Sequence, residues 1–279
     1  MSIGGGGEVT LLYNHSRRFT VGVSNPDTFV PAPVIDNLVE KVPTGCAPLD
    51  ELLSGGFERG ATTQLYGPPA AGKTNIGLSA AVEVAAEGGS ALFIDTEGVS
   101  PDRMNQIISS RAEETQETTE VIAGRIMVSN AHDFAEQREA IQDAAGVASG
   151  LELIVLDSAT GFYRLERDAA DEGETLRDVG RQITHLLSLA RQYDLAVVFT
   201  NQVFTDPDSD QSRALGGHTL DHWSGAILRV ERFRGGNRRA TLEKHRSLPA
   251  GDAARFQITD AGLVGEGQRR DRDIEADSF

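Results

Sequence analysis

The clearest chemical signal in this chain is an eight-residue segment that fits the phosphate-binding pattern G-x-x-x-x-G-K-[ST]. It reads Gly67-Pro68-Pro69-Ala70-Ala71-Gly72-Lys73-Thr74. The glycines allow a tight turn whose backbone N–H groups face phosphate oxygens, and the following helix adds its positive dipole end. Lys73 supplies a charge for the β- and γ-phosphates and Thr74 a hydroxyl for Mg²⁺. The segment through Asn75 is therefore predicted to bind ATP with Mg²⁺.

Three further polar residues stand at the ends of apolar runs typical of buried strands. Asp157 closes the run 151–157, Glu97 follows the run 91–95, and Gln202 follows the run 196–200. The carboxyl ends of strands in an α/β sheet line the ligand crevice. We therefore expect Asp157 to hold Mg²⁺ together with Thr74, Glu97 to activate water, and Gln202 to sense the γ-phosphate beside Lys73. A helix N-cap for Asp157 and a solvated loop position for Glu97 remain the alternatives.

The elements that must position these residues alternate between strands and helices. Strands are predicted over 62–66, 91–95, 125–129, 151–157 and 196–200, and helices over 75–87, from 101, over 134–147 and around 176–190. Ser100-Pro101 has the composition of a helix start, and residues 113–120 are polar enough to predict a loop. Segments 227–233 and 240–244 flank Gly235-Gly236-Asn237, a hairpin signal. The fold class is α/β, a P-loop ATPase core with a mostly parallel sheet and an antiparallel C-terminal edge.

Composition divides the chain into three parts. Residues 1–35 are predicted to be a flexible N-terminal extension, because they contain a run of four glycines and several prolines. Residues 36–264 form the predicted ATPase core. Residues 265–279 are polar and charged, which is typical of a disordered acidic tail.

The charge balance is strongly acidic, with 42 acidic against 26 basic residues and a net charge of −16. Only three of the basic residues are lysines, and these are Lys41, Lys73 and Lys244. Such a surface suits a cytoplasm of very high salt, where the Debye length falls to about 3 Å and self-repulsion is screened. A protein that avoids nucleic acid is the alternative. A single cysteine, no apolar run long enough to span a membrane and no signal sequence predict a cytoplasmic protein.

The order of these motifs resembles the RecA-type recombinase family. The resemblance rests on the P-loop, Asp95-Thr96-Glu97-Gly98, Leu153-Ile154-Val155-Leu156-Asp157-Ser158 and Thr200-Asn201-Gln202-Val203, over residues 36–264. Segment 43–56 and the P-loop with Asn75-Ile76 look most like the archaeal RadB branch of that family. A short chain without an upstream helix-hairpin-helix domain agrees with this branch.

The resemblance implies a RecA-like fold and assigns roles residue by residue. Glu97 matches the catalytic glutamate, Gln202 the glutamine switch, and Arg103 the arginine that stacks on adenine. Segment 162–164 matches the start of the first DNA-binding loop, and segment 204–217 the second. Tyr163, Arg164 and Arg213 are the resulting DNA-binding candidates.

The second predicted DNA-binding loop departs from a good strand-exchange loop. It carries Asp206, Asp208 and Asp210 against Arg213 alone. The resemblance therefore implies a weak ATPase that binds single-stranded or branched DNA with little strand exchange. Such a protein would assist a RadA-type recombinase in DNA repair and homologous recombination, and would modulate cleavage of branched DNA.

Two features concern assembly into homo-oligomers. Lys244 and Arg246 close the predicted hairpin strand, where a basic pair can reach the γ-phosphate of a neighbouring subunit, although an exposed strand end is the alternative. Phe29-Val30-Pro31-Ala32 resembles the F-x-x-A polymerisation motif of RadA-type linkers, with an unstructured tail as the alternative. Tyr163 and Trp223 are candidates for base stacking on DNA. His222, near the second loop, is expected to have a packing role, with DNA sensing as the alternative.

Two other functional classes remain open at this stage. The first is a KaiC-like ring-forming regulatory ATPase that acts on protein partners, which segment 43–56 and the basic strand end suit equally well. The second is a clamp that binds nucleotide without hydrolysing it. The presence of Glu97 and Gln202 argues against the clamp.

Overall fold

The computed structural model describes residues 8–11, 19–22, 40–163, 172–205 and 212–266. The chain divides into two units, residues 1–38 and 39–279. In the first unit, β1 (Glu8–Leu11) and β2 (Phe19–Gly22) pair in antiparallel fashion, with Glu8 opposite Gly22. The predicted F-x-x-A segment at Phe29 and Ala32 lies outside the described residues.

The second unit alternates strands and helices along most of its length, as the sequence predicts. Its described helices are α1 (Ala47–Leu52), α2 (Lys73–Ala86), α3 (Pro101–Thr115), α4 (Thr119–Gly124), α5 (Phe134–Val147), α6 (Glu172–Tyr193) and α7 (Gly217–Trp223). Its described strands are β3 (Ala61–Tyr66), β4 (Ala91–Asp95), β5 (Ile126–Asn130), β6 (Leu153–Asp157), β7 (Ala196–Asn201), β8 (Val203–Thr205), β9 (Ser212–Ala214), β10 (Ala226–Arg232), β11 (Asn237–His245), β12 (Ala253–Thr259) and β13 (Gly262–Gly265).

Nine of these strands form one sheet, in the order β13-β12-β11-β10-β3-β7-β6-β4-β5. The six strands from β10 to β5 in this order run parallel to one another, and the register places Asp95 opposite Asp157. The carboxyl ends of β3, β7, β6 and β4 therefore lie side by side. This edge of the sheet carries the P-loop, Gln202, Asp157 and the segment that leads to Glu97.

The C-terminal edge of the sheet is antiparallel. The predicted hairpin is confirmed, since β10 pairs with β11 from Ala226 opposite His245 to Arg232 opposite Arg238. Two more antiparallel strands, β12 and β13, extend this edge and were not predicted. Alternation of Ala254, Phe256 and Ile258 toward the core is the signal that would have revealed β12.

Both faces of the sheet are covered by helices, which explains the continuous apolar strands. Val155 packs with residues of α1 to α4 on one face, whereas its neighbour Ile154 packs with residues of α5 to α7 on the other. Of the helices in the described ranges, none combines the length and apolarity that crossing a membrane demands.

The predicted loop over residues 113–120 is wrong in most of its length. Helix α3 continues to Thr115, and α4 begins at Thr119. The Thr118 hydroxyl caps the start of α4 by accepting from the backbone N–H of Val121 at 3.3 Å. The polar residues of this segment lie on the exposed sides of the two helices. The predicted helix start is confirmed, since the Ser100 hydroxyl accepts from the N–H of Arg103 at 3.4 Å.

Candidate nucleotide-binding site

The P-loop lies between β3 and the first turn of α2, and two of its glycines are required by the packing. A Cβ on Gly67 would lie 2.1 Å from the backbone oxygen of Val230 in β10. Gly72 precedes α2 with φ +111°, and a Cβ there would lie 2.9 Å from Cδ1 of Ile258. A side chain at Gly67 would clash with the β10 backbone, and one at Gly72 would strain a left-handed backbone conformation. The sequence pattern therefore corresponds to real steric limits.

The Lys73 ammonium folds back over this loop. It donates to the backbone oxygens of Gly67 at 2.9 Å and Pro68 at 3.1 Å. Burial lowers the pKa of Lys73, whereas the carboxylates of Glu97 and Asp157 raise it. These contacts place the cation among neutral carbonyls, which phosphate oxygens can replace at a gain in electrostatic energy.

Asp157 ends β6 in a fully buried position. Its Oδ1 accepts from the Thr200 hydroxyl, and its Oδ2 has no hydrogen-bond partner. Burial raises the pKa of Asp157 to about 6, and the hydroxyls of Thr200 and Thr74 lower it. An unpartnered buried carboxylate oxygen beside the Thr74 hydroxyl fits a Mg²⁺ ligand set.

No group of three or more His, Cys, Asp or Glu residues suited to a metal occurs in the described ranges. Such a set is unnecessary for Mg²⁺ at a P-loop, because phosphate oxygens and water supply most of its ligands.

Glu97 and Gln202 meet above this site although they are far apart in sequence. Oε1 of Glu97 accepts from the Ser158 hydroxyl at 2.8 Å and from Nε2 of Gln202 at 3.1 Å. Both residues line the same open pocket as Lys73 and Thr74. Four of the residues that the sequence singled out are thus brought together around one cavity.

The loop that carries Glu97 is held by the preceding strand end. The Asp95 carboxylate accepts from the backbone N–H groups of Glu97 at 3.0 Å, Gly98 at 2.9 Å and Val99 at 2.6 Å. Three charge-assisted hydrogen bonds from one buried carboxylate restrict the loop strongly. Asp95 therefore positions Glu97 while remaining outside the lining of the P-loop pocket.

Hydrogen bonds connect the Gln202 backbone to the segment that follows. Its N–H donates to the Thr160 hydroxyl at 3.2 Å, and its carbonyl accepts from the N–H of Leu215 at 2.9 Å. Asn201 accepts from Thr160 at 2.9 Å and donates to the Leu215 carbonyl at 2.7 Å. Gln202 directly precedes β8 and is hydrogen-bonded to Leu215, which directly follows β9. The paired strands β8 and β9 lie mostly within the predicted second DNA-binding loop.

Arg103 lies beside the start of α2 and contacts the C-terminal edge of the sheet. Its Nε donates to Oδ1 of Asn75 at 2.8 Å, and its Nη1 donates to the carbonyls of Thr259 at 2.7 Å and Asp260 at 3.3 Å. Burial lowers the pKa of Arg103, and Asp260 raises it. Its Nη2 is buried without a hydrogen-bond partner. The guanidinium is thus fixed next to the P-loop residue Asn75.

None of the three DNA-binding candidates from the sequence has a side chain that the structure describes as exposed. Tyr163 is only 4 % exposed, so its ring is not available for stacking in this conformation. Arg164 lies outside the described residues, and for Arg213 only the backbone is described, in β9. Trp223 is 37 % exposed and contacts His222 edge to face.

The two candidates for action on a neighbouring subunit do not line the P-loop pocket. Lys244 donates from Nζ to the Asp221 carbonyl at 2.5 Å. Arg246 is exposed and lies against Gly225, where an added Cβ would be 3.0 Å from its Nε. Both therefore lie near the junction of α7 and β10, away from the lining of the chain's own nucleotide site.

Sequence reasoning missed three residues that complete the site. Ser158 donates to Glu97, Thr200 donates to Asp157, and Arg238 lines the pocket from β11. The hydroxyl residues carry a weak signal, because each directly follows or ends a predicted strand. Arg238 carries a stronger one, since it occupies an inward position in the alternation with Ala240 and Leu242.

Comparisons with known proteins agree with this geometry. The family model described as Rad51 matches residues 36–266. The chain is 60 % identical over 225 residues to "DNA repair and recombination protein RadB" of Halobacterium salinarum strain R1, covering 80 % of this chain and 94 % of that protein. It is 42 % identical over 226 residues to the RadB of Methanococcoides burtonii, covering 80 % of this chain and 97 % of that protein.

A solved structure supports the same conclusion about fold. The crystal structure of a RadB recombinase superposes with a TM-score of 0.69 at 35 % identity, covering 81 % of this chain and 99 % of that one. The predicted RecA-like α/β fold is confirmed, and so is the predicted resemblance to the RadB branch.

Proposed function

The chain belongs to the Rad51 family, and from this premise we propose that it is an ATP-binding protein of DNA repair and homologous recombination. Its RadB-like relatives carry that function in their names. We propose more finely that it is a weak ATPase that binds single-stranded or branched DNA with little strand exchange. It would act beside a RadA-type recombinase, in homo-oligomers, and would modulate cleavage of branched DNA.

One observation carries this proposal: the contact between Gln202 and Glu97 at 3.1 Å in the pocket of the P-loop. The residue proposed to sense phosphate and the residue proposed to activate water therefore contact each other in this pocket. The Gln202 backbone leads directly into β8, and its carbonyl accepts from the N–H of Leu215, which follows β9. A change at the nucleotide therefore has a continuous hydrogen-bonded route to the predicted DNA-binding segment.

Each residue of the site has a separate task in this proposal. Lys73 and the N-terminus of α2 bind the phosphates, and Thr74 with Asp157 would hold Mg²⁺. The ion, when bound, neutralises charge on the β- and γ-phosphate oxygens. Glu97 takes a proton from the attacking water, since Ser158 and Gln202 hold its carboxylate in place.

The slow turnover that we propose follows from the arrangement of the site. Among the described residues that line the pocket, the basic side chains are those of Lys73 and Arg238. Lys244 and Arg246 lie elsewhere, and they would reach a γ-phosphate only in a neighbouring subunit. Assembly would then raise the rate, because a cation supplied in trans stabilises the transition-state charge.

Contacts with DNA would be made to phosphates and sugars and by stacking. A net charge of −16 and molar salt both weaken ionic attraction to DNA. The exposed Trp223 ring is better suited to this environment, since stacking on a base is less sensitive to salt.

The decisive experiment is fluorescence anisotropy of labelled single-stranded DNA in molar KCl, with and without Mg–ATP. Wild type is compared with Lys73→Ala, which removes the phosphate-binding ammonium. We expect micromolar or tighter binding that changes with ATP in wild type and does not change in the variant.

Absence of DNA binding at every salt concentration, with nucleotide-dependent ring formation instead, would refute the recombination function. That outcome would favour a regulatory ATPase that acts on protein partners. Binding that is identical with and without ATP would refute the proposed link between Gln202 and the DNA-binding segment.

A further inference from the structure

Arg238 is a buried cation that no described carboxylate neutralises. It is 8 % exposed and lies in β11, the strand next to β10. Among the ion pairs of the described residues none includes Arg238, whereas its neighbour Arg239 pairs with Glu231 at 2.9 Å. Burial lowers the pKa of Arg238, and the nearby charge of Arg232 lowers it further. A cation without a counter-ion is costly in such a position unless an anion completes it.

The guanidinium is anchored on one side and free on the other. Its Nη1 donates to the Gly236 carbonyl at 2.5 Å, in the turn between β10 and β11. Its Nε is buried and has no hydrogen-bond partner. An added Cβ on Gly72 would lie 3.6 Å from that Nε, so the unpaired nitrogen lies beside the P-loop. Arg238 also lines the same pocket as Lys73 and Thr74.

We propose that Arg238 is a phosphate ligand for nucleotide bound to its own subunit, and that it contacts the α- and β-phosphates. This inference rests on the proposed binding of ATP at the P-loop. A guanidinium with an unused N–H, fixed against an anion-binding loop, has the chemistry of a phosphate-recognition group. The bound anion would supply the missing counter-charge and the missing hydrogen-bond acceptor together.

The sheet order selects these phosphates over the γ-phosphate. Glu97 and Gln202 follow β4 and β7, which lie on one side of the P-loop strand β3. Arg238 comes from β11, on the opposite side of β3. The γ-phosphate belongs with the water-activating carboxylate, so Arg238 faces the part of the nucleotide that ATP and ADP share.

The test is a calorimetric titration of ADP and of ATP, each with Mg²⁺ in molar KCl, into wild type, Arg238→Gln, Arg238→Lys and Arg239→Gln. We expect Arg238→Gln to weaken both nucleotides by the same factor, about 10- to 100-fold, as for a lost charge-assisted hydrogen bond. Arg238→Lys retains the charge without the planar fork and should give an intermediate loss. Arg239→Gln should change either affinity by less than about two-fold.

Arg239 is a matched control because it is the next residue on the same strand and faces away from the pocket. Its guanidinium lies 4.8 Å from the Phe233 ring centre and pairs with Glu231. The melting temperature without nucleotide gives a second readout. A ligand role predicts that Arg238→Gln melts no lower than Arg239→Gln, since it removes an uncompensated buried charge.

Several results would overturn the inference. Equal nucleotide affinities for wild type and Arg238→Gln would overturn this inference and leave the proposed function intact. A lower melting temperature of Arg238→Gln with unchanged affinity would do the same, because it indicates a purely structural role. A loss confined to ATP would make Arg238 a γ-phosphate group instead. Wild type that binds neither nucleotide would refute the proposed function, and this inference with it.

Discussion

Replacing Asp157 by asparagine should stabilise the nucleotide-free protein while removing its response to Mg–nucleotide. The carboxylate is fully buried, and its Oδ2 lacks a hydrogen-bond partner. Burial raises the pKa of Asp157 from 3.8 to about 6, so the ionised form is disfavoured by folding. The proposed Mg²⁺ site requires that form, because a neutral amide is a poor ligand for Mg²⁺.

The magnitude follows from linkage between protonation and folding. An acid whose pKa is raised by folding binds protons more tightly in the folded chain, so the free energy of unfolding falls as pH rises. For Asp157 this fall occurs between pH 3.8 and about pH 6 and is complete at about pH 7.5. At roughly 1.4 kcal/mol per pKa unit, the cost at that pH is about 3 kcal/mol.

Asparagine removes this cost but adds an amide nitrogen at the position of Oδ2, an atom that has no hydrogen-bond partner in the wild type. Burying that nitrogen without a hydrogen bond costs about 1–2 kcal/mol. We therefore expect a net stabilisation of about 1–2 kcal/mol at about pH 7.5. The advantage should shrink by about 1–2 kcal/mol at about pH 5, where roughly half of the wild-type cost has disappeared.

Urea denaturation in molar KCl measures this difference at both pH values, and urea leaves the ionic strength unchanged. Asp95→Asn is the matched control, because Asp95 lies opposite Asp157 on the neighbouring strand. The Asp95 carboxylate accepts three backbone N–H groups, so its replacement should destabilise the protein by about 1–3 kcal/mol. The two substitutions should therefore have opposite signs.

A lower stability of Asp157→Asn at neutral pH, or a difference from wild type that does not vary with pH, would refute the reasoning. Either result would mean that burial does not penalise the Asp157 charge. Retention of a Mg²⁺-dependent rise in melting temperature with ADP would separately refute the assignment of Asp157 as a metal ligand.

Three further predictions concern other parts of the molecule. Gln202→Ala should abolish the effect of ATP on DNA anisotropy yet change ADP affinity by less than about three-fold, because its amide contacts Glu97 and not the P-loop carbonyls. The Cys46 thiol is 3 % exposed and its pKa is raised to about 11 by burial, so a thiol reagent at about pH 8 should react only at the rate of unfolding. Gly77→Ala should lower the free energy of unfolding, measured with urea, by about 1–3 kcal/mol, because the new Cβ would lie 2.8 Å from Cγ1 of Val155. Helix propensity alone would instead raise this free energy by about 1 kcal/mol.

Local features of the chain were predicted well where one physical cause dominates. The P-loop pattern placed α2 correctly, because the glycines and Lys73 leave few alternative conformations. Continuous apolar runs located β4 and β6, because a strand that is buried on both faces carries apolar residues at every position. The hairpin of β10 and β11 followed from its glycine turn.

The predictions failed where the surroundings of a segment, and not its own composition, determine its structure. The segment 113–120 was predicted as a loop from its polarity, yet most of it is helical because polar residues cover the exposed sides of α3 and α4. Strands β12 and β13 were missed because short alternating segments have weak local signals, and their partner β11 determines them. The DNA contact of Tyr163 stays a prediction, and the burial of its ring depends on packing that no motif reports.

The sequence by itself determined which chemical groups this protein offers at its candidate site. A phosphate loop, an acid at a strand end, and a carboxylate and an amide after two other strands are local properties that composition and spacing reveal. Only the tertiary structure decided which of these groups act together. The tertiary structure brought Nε2 of Gln202 within 3.1 Å of the Glu97 carboxylate, left Oδ2 of Asp157 without a hydrogen-bond partner, and placed Nε of Arg238 beside Gly72. Contacts between distant segments depend on strand order and register, which arise from packing of the whole chain and not from any one segment.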